Sequence, residues 1–311
     1  MKVAFVFPGQ GSQHVGMGKN LYEGFADVKR LYAEASGALG YDVAALSFGG
    51  PKEKLDLTVH TQPCLLTASI AACTVLKQNG VKPSVVAGHS LGEYSALTAA
   101  GVFSFGDALR ITALRGRLMQ EAVPEGKGMM AAILGLDRAK LDEVCASVHS
   151  GFVRPANYNC PGQVVISGET AGVQEAMDLL KAAGAKRAIP LSVSVPSHTA
   201  LMERASKELS EFLFLGDIRM NNPVVPVVSN ADAIFLTTVE GIKAALVKQL
   251  SSPVLWEDCI GAMVKTGVDT FVEVGPGTVL GGLIRRIQPG LNILNVQDTE
   301  SLDETLRALN R

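Results

Sequence analysis

The sequence predicts an α/β protein in which a smaller domain interrupts a larger one. Residues 3–7 and 84–87 are short apolar runs followed by glycine-containing turns, a pattern typical of buried strands in a parallel sheet. Around residue 125 the pattern changes to strand, helix, two strands, helix and strand. The chain has 311 residues, 47% hydrophobic and 19% charged, so it can bury a large core.

The first part of the chain alternates strands with helices. Apolar spacing predicts helices at residues 25–39, 62–79, 93–100 and 105–122. The glycine-rich turn at residues 9–14 does not fit a dinucleotide fingerprint, because the third glycine would fall at His14. A phosphate-binding loop is excluded too, since no Gly-Lys-Ser/Thr follows. The turn still places backbone N–H groups at the end of a strand, where open α/β sheets bind ligands.

The middle of the chain has the order β-α-β-β-α-β, which is the ferredoxin-like arrangement. Strands are predicted at residues 128–136, 153–157, 163–167 and 187–193. Helices are predicted at residues 137–148, with Asp137 as the cap, and at 170–183, ended by Gly184. We therefore expect residues 125–195 to form an insert, with residues 1–124 and 196–311 as the larger domain.

The last part returns to the pattern of the larger domain. The expected strands lie at residues 224–228 and 270–274, and the expected helices at 200–213, 242–249 and 256–266.

No set of metal ligands is visible in the sequence, because nothing near the His60 and Cys64 pair completes one. The longest apolar run, residues 64–76, is too short to span a bilayer and predicts a buried helix.

Charge and cysteine content restrict the class of protein. A net charge of −2 argues against bulk nucleic-acid binding. The five cysteines are scattered and form no C-x-x-C pair, so neither a disulfide framework nor a zinc site is expected. This usage fits a reducing cytoplasm, and no signal peptide is visible.

The pentapeptide Gly88-His89-Ser90-Leu91-Gly92 is the most informative motif. It has the form G-x-S-x-G and lies between a predicted strand and a predicted helix. A serine on such a sharp turn projects its hydroxyl above the sheet, and the following helix directs N–H groups toward a developing oxyanion. The alternative is an ordinary tight turn, but the flanking strand and helix favour a nucleophile.

A serine nucleophile needs a base within hydrogen-bond distance. Of the five histidines, His89 adjoins Ser90 on the turn and should point away from it. His198 leaves the insert just before a predicted helix, which is a suitable position for a base. No Asp or Glu between Ser90 and His198 stands out as its partner, since Asp137 and Asp142 are typical of a cap and a solvated face. A neutral acceptor can orient the histidine instead.

Arg115 falls within the apolar stripe of the helix at residues 105–122, whereas Arg110 and Arg117 project from another side. An inward guanidinium needs a carboxylate partner or a cleft. It is either a structural ion pair, a side chain reaching back to solvent, or a bidentate site for a substrate carboxylate. Together with Ser90, the third reading indicates transfer of an acyl group that carries its own acid.

Several motifs, in this order, resemble the malonyl-CoA:acyl carrier protein transacylases of bacterial fatty acid synthesis. The resemblance covers nearly the whole chain and rests on the following segments: Phe7-Pro8-Gly9-Gln10-Gly11-Ser12-Gln13, Gly88-His89-Ser90-Leu91-Gly92-Glu93-Tyr94-Ser95-Ala96-Leu97, Arg115-Gly116, Asn159 with Pro161-Gly162-Gln163-Val164-Val165-Ile166, Val195-Pro196-Ser197-His198 and Glu273-Val274-Gly275-Pro276-Gly277.

The resemblance implies a hydrolase-like α/β domain with a ferredoxin-like insert. It also implies that Ser90 is malonylated with His198 as its base, and that Arg115 binds the malonyl carboxylate. The backbone N–H groups of Gln10 and Leu91 would form the oxyanion hole. The main-chain carbonyl of Gln249 would orient His198, which is the neutral acceptor that the residues alone did not identify.

The same resemblance implies that malonyl-CoA and acyl carrier protein are the partners. We expect no cofactor beyond the CoA thioester substrate, no metal, no nucleic acid or membrane partner, a monomer, and a cytoplasmic location. Because carrier proteins are acidic, the mouth of the cleft should be basic. The candidate side chains are two adjacent pairs: Lys186, Arg187, Arg285 and Arg286. Ordinary solvated surface is the competing interpretation of each pair.

Three alternative functions stay open at the level of sequence. An acyltransferase of polyketide synthesis would use the same chemistry with another carrier. A serine esterase or thioesterase would admit water to the acyl-serine. A non-catalytic carrier-binding scaffold would show no malonyl labelling, although Ser90, His198 and Arg115 are all present.

Overall fold

Two β-sheets organise the chain, which the computed structural model describes at residues 1–124, 126–191, 193 and 195–309. The strands are β1 (Val3–Phe7), β2 (Val85–Gly88), β3 (Gly128–Leu134), β4 (Val153–Cys160), β5 (Gln163–Glu169), β6 (Arg187–Pro190), β7 (Val227–Val228), β8 (Phe235–Leu236), β9 (Thr270–Val274) and β10 (Asn292–Val296).

Helices of widely different length connect these strands. They are α1 (Lys19–Gly24), α2 (Ala26–Leu39), α3 (Val43–Gly49), α4 (Lys52–Leu55), α5 (Thr58–Gln78), α6 (Gly92–Ala99), α7 (Phe105–Ala122), α8 (Arg138–Ala146), α9 (Thr170–Ala182), α10 (Glu203–Leu215), α11 (Val239–Ser251), α12 (Trp256–Lys265), α13 (Val279–Ile287) and α14 (Thr299–Leu309). A 3-10 turn at Ala200–Met202 precedes α10.

The larger sheet has the strand order β10-β9-β1-β2-β7-β8. Its pairs are parallel except for β8, which runs antiparallel to β7. Successive side chains of a strand point to opposite faces. Phe5 and Phe7 of β1 accordingly enter one core, and Ala4 and Val6 enter the core on the other face. The predicted α/β class is confirmed, and the continuous apolar run of β1 is explained by helices covering both faces.

The smaller sheet has the order β4-β5-β3-β6 and is antiparallel throughout. One face of β3, including Ala131 and Ile133, packs on α8 and α9 in a third core. The other face presents Met130 and Ala132 to a cleft between the two sheets. Asp137 caps α8 by accepting a hydrogen bond from the Lys140 backbone N–H, as predicted.

Some predicted boundaries need correction. β4 continues through Asn159 to Cys160, so only Pro161 and Gly162 separate it from β5. The predicted strand at 224–228 is reduced to Val227–Val228. Residue 125, at which the insert was expected to begin, lies outside the described residues, as do residue 192 of the expected strand at 187–193, residue 194 near the expected end of the insert, and residues 310 and 311.

Helix α5 begins at Thr58, four positions before the expected start, and Pro63 lies inside it. Among the described residues it is the one helix long and apolar enough to cross a membrane by length and composition. Within its most apolar window, 83% of the residues are buried in the protein. The helix therefore behaves as part of the core, as the sequence predicted.

The smaller sheet contacts the segment between α11 and α12. Asn157 of β4 forms an isolated parallel bridge with Val254, and the Tyr158 backbone N–H donates to the Val254 carbonyl at 2.9 Å. A cleft of about 540 Å³ opens beside this junction. It is lined by the turn after β1, by the turn after β2 and by the inner face of the smaller sheet.

Candidate active site

Ser90 occupies a strained turn between β2 and α6. Its φ angle is +53°, a left-handed conformation that a non-glycine residue rarely adopts. The flanking glycines permit this turn by their lack of side chains. A Cβ at Gly88 would lie 1.9 Å from the backbone of Gly92, and a Cβ at Gly92 would lie 2.0 Å from the Phe7 carbonyl oxygen. The backbone thus folds tightly enough to present the Ser90 hydroxyl to the cleft.

The Ser90 Oγ lies 2.7 Å from the Nε2 of His198. The other ring nitrogen of His198, Nδ1, lies 2.9 Å from the main-chain carbonyl of Gln249. Because a carbonyl can only accept, Nδ1 carries the proton, and Nε2 is left to accept from the Ser90 hydroxyl. Burial, reinforced by the positive charge of Arg115, lowers the pKa of His198 to about 3. The imidazole is therefore neutral and ready to take a proton.

No carboxylate of the described residues hydrogen-bonds to His198. Asp137 caps α8, and Asp142 accepts from the Tyr158 hydroxyl at 2.7 Å. The site thus has a serine and a histidine oriented by a backbone carbonyl, without the acid of the usual hydrolase triad.

Two backbone N–H groups beside Ser90 have no acceptor among the described residues. They belong to Gln10, in the turn after β1, and to Leu91, directly after Ser90. The N–H of Ser90 itself donates to the Asn230 Oδ1 at 2.7 Å, and those of Gly92 and Glu93 are bonded within the turn. Leu91, which directly precedes α6, therefore keeps a backbone donor without an acceptor among the described residues, next to the nucleophile.

Arg115 reaches from α7 into this site and is 1% exposed. Its Nη2 lies 3.2 Å from the Ser90 Oγ and 3.0 Å from the Gln249 Oε1, while its Nη1 donates to the Gln62 Oε1 at 2.8 Å. No carboxylate of the described residues comes within ion-pair distance, so the structural ion pair considered from sequence is wrong. Burial lowers the pKa of Arg115, but a guanidinium remains charged in proteins. The guanidinium also lies over the Tyr94 ring, 5.2 Å from its centroid, so a buried cation without an ion-pair partner among the described residues faces the cleft.

Comparison with known proteins places this geometry in a family. Residues 4–302 match the model of the acyl transferase domain. The chain belongs to the acyl transferase family. The malonyl CoA-acyl carrier protein transacylase of Bacillus subtilis is 48% identical over 310 residues, 99% of this chain and 97% of the relative. The protein of the same name from Escherichia coli K12 is 53% identical over 286 residues, 91% and 92% of the two chains.

Solved structures give the same result. A malonyl transacylase in complex with its type II polyketide synthase acyl carrier protein is 49% identical, with a TM-score of 0.96 over 99% of this chain and 100% of the other. An acyl carrier protein S-malonyltransferase from Vibrio cholerae is 50% identical, with a TM-score of 0.95 over 98% and 100%. The resemblance inferred from the motifs is therefore confirmed.

Three buried residues of this acyl transferase site were missed by sequence reasoning. Asn230 holds the turn by accepting from the Ser90 N–H and donating to the Gly88 carbonyl at 2.7 Å. Gln62 supports Arg115, and Glu93 accepts from the Gln249 Nε2 at 2.7 Å. Glu93 follows Ser90 by one helical turn and could have been noticed as a carboxylate on a buried helix. The contacts of Asn230 and Gln62 are distant in sequence and leave no local signal.

His89 turns away from Ser90, as the sequence predicted for adjacent residues of a tight turn. Its Nε2 lies 2.8 Å from the Asn159 Oδ1 of β4, and its ring packs edge-on against Trp256. His89 therefore joins the two sheets of the acyl transferase beside the cleft, rather than serving as the base.

The four basic candidates are all exposed. Lys186 and Arg286 line a common depression of about 490 Å³ beside the cleft, while Arg187 and Arg285 lie outside it. Arg286 donates to the Gln163 Oε1 at 2.6 Å and to the Pro161 carbonyl at 3.1 Å. Because Gln163 also lines the cleft, Arg286 stands at its edge.

Proposed function

We propose that this acyl transferase transfers the malonyl group from malonyl-CoA to the phosphopantetheine thiol of an acyl carrier protein, supplying extender units for fatty acid synthesis. One observation carries the proposal. The Ser90 Oγ lies 2.7 Å from a neutral histidine nitrogen and 3.2 Å from a buried guanidinium that has no carboxylate within ion-pair distance among the described residues. The names of the close relatives support the same activity.

In the first half-reaction, His198 Nε2 takes the proton of the Ser90 hydroxyl as Oγ attacks the thioester carbonyl of malonyl-CoA. The N–H groups of Gln10 and Leu91 stabilise the negative oxygen that forms, each by about 3–4 kcal/mol. The C–S bond then breaks, and the imidazolium returns its proton to the leaving CoA sulfur. Malonyl-Ser90 remains on the enzyme.

In the second half-reaction the chemistry runs in reverse with another thiol. The phosphopantetheine thiol gives its proton to His198 as its sulfur attacks the malonyl-Ser90 ester. The C–O bond breaks, and His198 protonates the Ser90 Oγ. The Gln249 carbonyl keeps the His198 ring in the required tautomer through both steps.

Arg115 selects the acyl group in this proposal. Its two terminal nitrogens match the two oxygens of a carboxylate, and a bidentate pair of this kind is both strong and directional. The pair costs little reorganisation, because Gln62 and Gln249 already hold the guanidinium in place. An acetyl group would leave the same buried charge unpaired.

We further propose a two-domain organisation, with residues 1–124 and 196–311 as a hydrolase-like domain and residues 125–195 as a ferredoxin-like insert. The support is the mostly parallel larger sheet with Ser90 after one of its two central strands, and the β-α-β-β-α-β order of the antiparallel sheet. We also propose that the enzyme is a cytoplasmic monomer without cofactor or metal. The five cysteines, all free and buried, are consistent with a reducing compartment.

The acyl carrier protein is proposed to dock beside the cleft through Lys186 and Arg286. Both are exposed and line one depression, and Arg286 is linked to the cleft through Gln163. Arg187 and Arg285 lie outside that depression and are kept as peripheral candidates. An acidic carrier would gain association rate and orientation from such a pair.

A carrier of polyketide synthesis is the second candidate. The observation that favours it is the 49% identical transacylase whose solved complex contains a type II polyketide synthase carrier. The chemistry at Ser90 would be unchanged. The two candidates differ only in the protein that receives the malonyl group.

Mass spectrometry of the intact protein tests the proposal. After incubation with malonyl-CoA, methylmalonyl-CoA or acetyl-CoA, we expect a malonyl adduct on Ser90 that is discharged by a holo carrier protein. Ser90→Ala should carry no adduct, whereas Ser150→Ala, at an exposed serine of the smaller domain, should still do so. Labelling of the Ser90→Ala protein would contradict the nucleophile, and release of free malonate without a carrier would indicate a thioesterase.

A further inference from the structure

We infer that Glu93 is a positioning residue that fixes the amide orientation of Gln249 and, through it, the Arg115 guanidinium. The inference rests on the proposed function and deepens it. Glu93 is fully buried on α6, one helical turn after Ser90, and neither half-reaction uses it. A buried carboxylate without a role is costly unless its oxygens serve as acceptors.

Gln249 has an amide whose two ends differ in chemistry but hardly in shape. Its Oε1 accepts from the Arg115 Nη2 at 3.0 Å, and its Nε2 donates to the Glu93 Oε2 at 2.7 Å and to the Ser90 carbonyl at 2.9 Å. If the amide rotated by half a turn, its NH2 group would face the N–H groups of Arg115. The two acceptors of Nε2, which are the Glu93 Oε2 and the Ser90 carbonyl, therefore decide whether the Gln249 amide attracts or repels Arg115.

The same oxygen of Glu93 also supports the nucleophile turn. The Glu93 Oε2 accepts from the Asn230 backbone N–H at 3.2 Å, and the Asn230 side chain accepts from the Ser90 N–H at 2.7 Å. One oxygen atom thus contacts both the residue that holds Arg115 and the residue that holds Ser90. Glu93 links the two halves of the site, the acyl-selecting cation and the nucleophile.

The other oxygen, Oε1, has no hydrogen-bond partner among the described residues. Burial raises the pKa of Glu93 to about 7, so the carboxyl can carry a proton on Oε1 while Oε2 continues to accept. The positioning role consequently depends on an acceptor at the Oε2 position and not on the negative charge.

Two neutral substitutions of similar size separate these properties. Glu93→Gln can keep an acceptor oxygen at the Oε2 position, whereas Glu93→Met fills the same space with no strong acceptor. Neither variant carries a charge, so a difference between them reports the acceptor alone. The readout is the ratio of kcat/KM for Ser90 acylation by malonyl-CoA and by acetyl-CoA, with folding checked by thermal unfolding.

We expect Glu93→Met to lower the malonyl-to-acetyl ratio about tenfold, mainly through the malonyl KM, the size of one well-placed hydrogen bond to a charged group. Glu93→Gln should retain the ratio within about twofold. A general loosening of the core would slow both donors alike and leave the ratio unchanged. Equal ratios in the two variants would overturn the inference, whichever value they share.

The Arg115→Ala background gives a second test that does not depend on the absolute rates. If Glu93 acts through Arg115, adding Glu93→Met to Arg115→Ala should produce no further change in the ratio. A further fall would place the action of Glu93 elsewhere. Failure of the proposed function is distinguishable, because then the wild-type protein would not form a malonyl adduct at all.

Discussion

The Arg115 Nη2 and the Ser90 Oγ are 3.2 Å apart, so the side chain proposed to select the acyl group touches the atom proposed to carry it. A malonyl group on Ser90 has its free carboxylate three carbons from Oγ, within reach of this guanidinium. Binding and chemistry therefore occur in one small volume, which makes substitutions here informative about specificity.

Removal of Arg115 should abolish the preference for malonyl groups. In Arg115→Ala, a malonyl carboxylate would enter a buried site with no cation, a loss of about 3–5 kcal/mol, or roughly 150- to 5,000-fold in kcat/KM. Acylation by acetyl-CoA should fall much less. Arg110→Ala is the matched control, because Arg110 lies exposed on the same helix. An unchanged donor preference would exclude the carboxylate-binding role.

A carboxylate placed beside Arg115 should compete with the substrate. Gln62→Glu would put an acidic oxygen at the position from which the Gln62 Oε1 now accepts from Nη1, at 2.8 Å. We expect the KM for malonyl-CoA to rise about tenfold or more, because the guanidinium is already paired. Gln62→Met, which removes the acceptor without adding charge, should have the smaller effect. If Gln62→Met raised the KM for malonyl-CoA more than Gln62→Glu did, competition for the carboxylate position would be excluded as the cause.

Charge reversal beside the cleft should separate the two half-reactions. In Lys186→Glu and Arg286→Glu, the KM for the carrier protein should rise about three- to tenfold and become less sensitive to salt. The rate of Ser90 acylation by malonyl-CoA, measured without carrier, reports whether the first half-reaction is intact. Lys181→Glu, on an exposed part of α9, is the control. If both variants use the carrier as the wild type does, this docking surface is wrong.

Acylation should depend little on pH over the range in which histidine usually titrates. Burial and Arg115 lower the pKa of His198 to about 3, so the base stays neutral from about pH 5 to 8. Single-turnover acylation should be measured in the wild type and in Glu93→Gln, because the pKa of Glu93 is raised to about 7. A midpoint near pH 6.5 in both proteins would contradict the buried, neutral base.

The lowered pKa of His198 also makes the folded protein less stable in acid. Below about pH 6.5 the unfolded chain binds a proton at His198 that the folded protein excludes, so acid destabilises the fold progressively down to pH 3. His198→Gln should therefore weaken the dependence of the unfolding free energy on pH in this window. An identical pH dependence in the two proteins would show that folding does not keep the proton off His198.

Two glycine substitutions should change the free energy of unfolding in opposite directions. Gly88→Ala would place a Cβ 1.9 Å from the backbone of Gly92, so the turn must distort, at a cost of at least about 2–3 kcal/mol. Gly37→Ala lies inside α2, where a Cβ meets nothing within 4 Å, and it should stabilise the protein by about 0.5–1 kcal/mol. Urea unfolding measures both. A mild effect at Gly88 would mean that the turn adapts easily.

Sequence reasoning succeeded where local pattern and burial coincide. Helix α7 has its predicted ends because Ser104 caps it and one face is buried, and that same face identified Arg115 as an inward cation. Strand β1 was found because both of its faces are buried. Strand β10 was missed because it lies at the sheet edge and is only partly buried, so it has no continuous apolar run.

The supporting contacts of the site could not be predicted in the same way. Asn230 and Ser90 are 140 residues apart, and Gln62 and Arg115 are 53 residues apart. Such pairs form when whole helices and strands pack together. A single asparagine or glutamine belongs to no sequence pattern from which its hydrogen-bond partner could be predicted. The role of the Gln249 carbonyl was available only through the family resemblance, since any residue supplies a carbonyl.

The parallel pairing of β1 with β2 has a consequence for how the protein acquires its activity. Phe7 and Gly88 are register partners, and the turns that directly follow them carry the free N–H groups of Gln10 and Leu91. These donors meet only after two segments some eighty residues apart have joined, a slow and non-local event in folding. During refolding, hydrophobic collapse and helix formation should precede the return of acylation. The recovery of acylation activity therefore reports when β1 and β2 have paired.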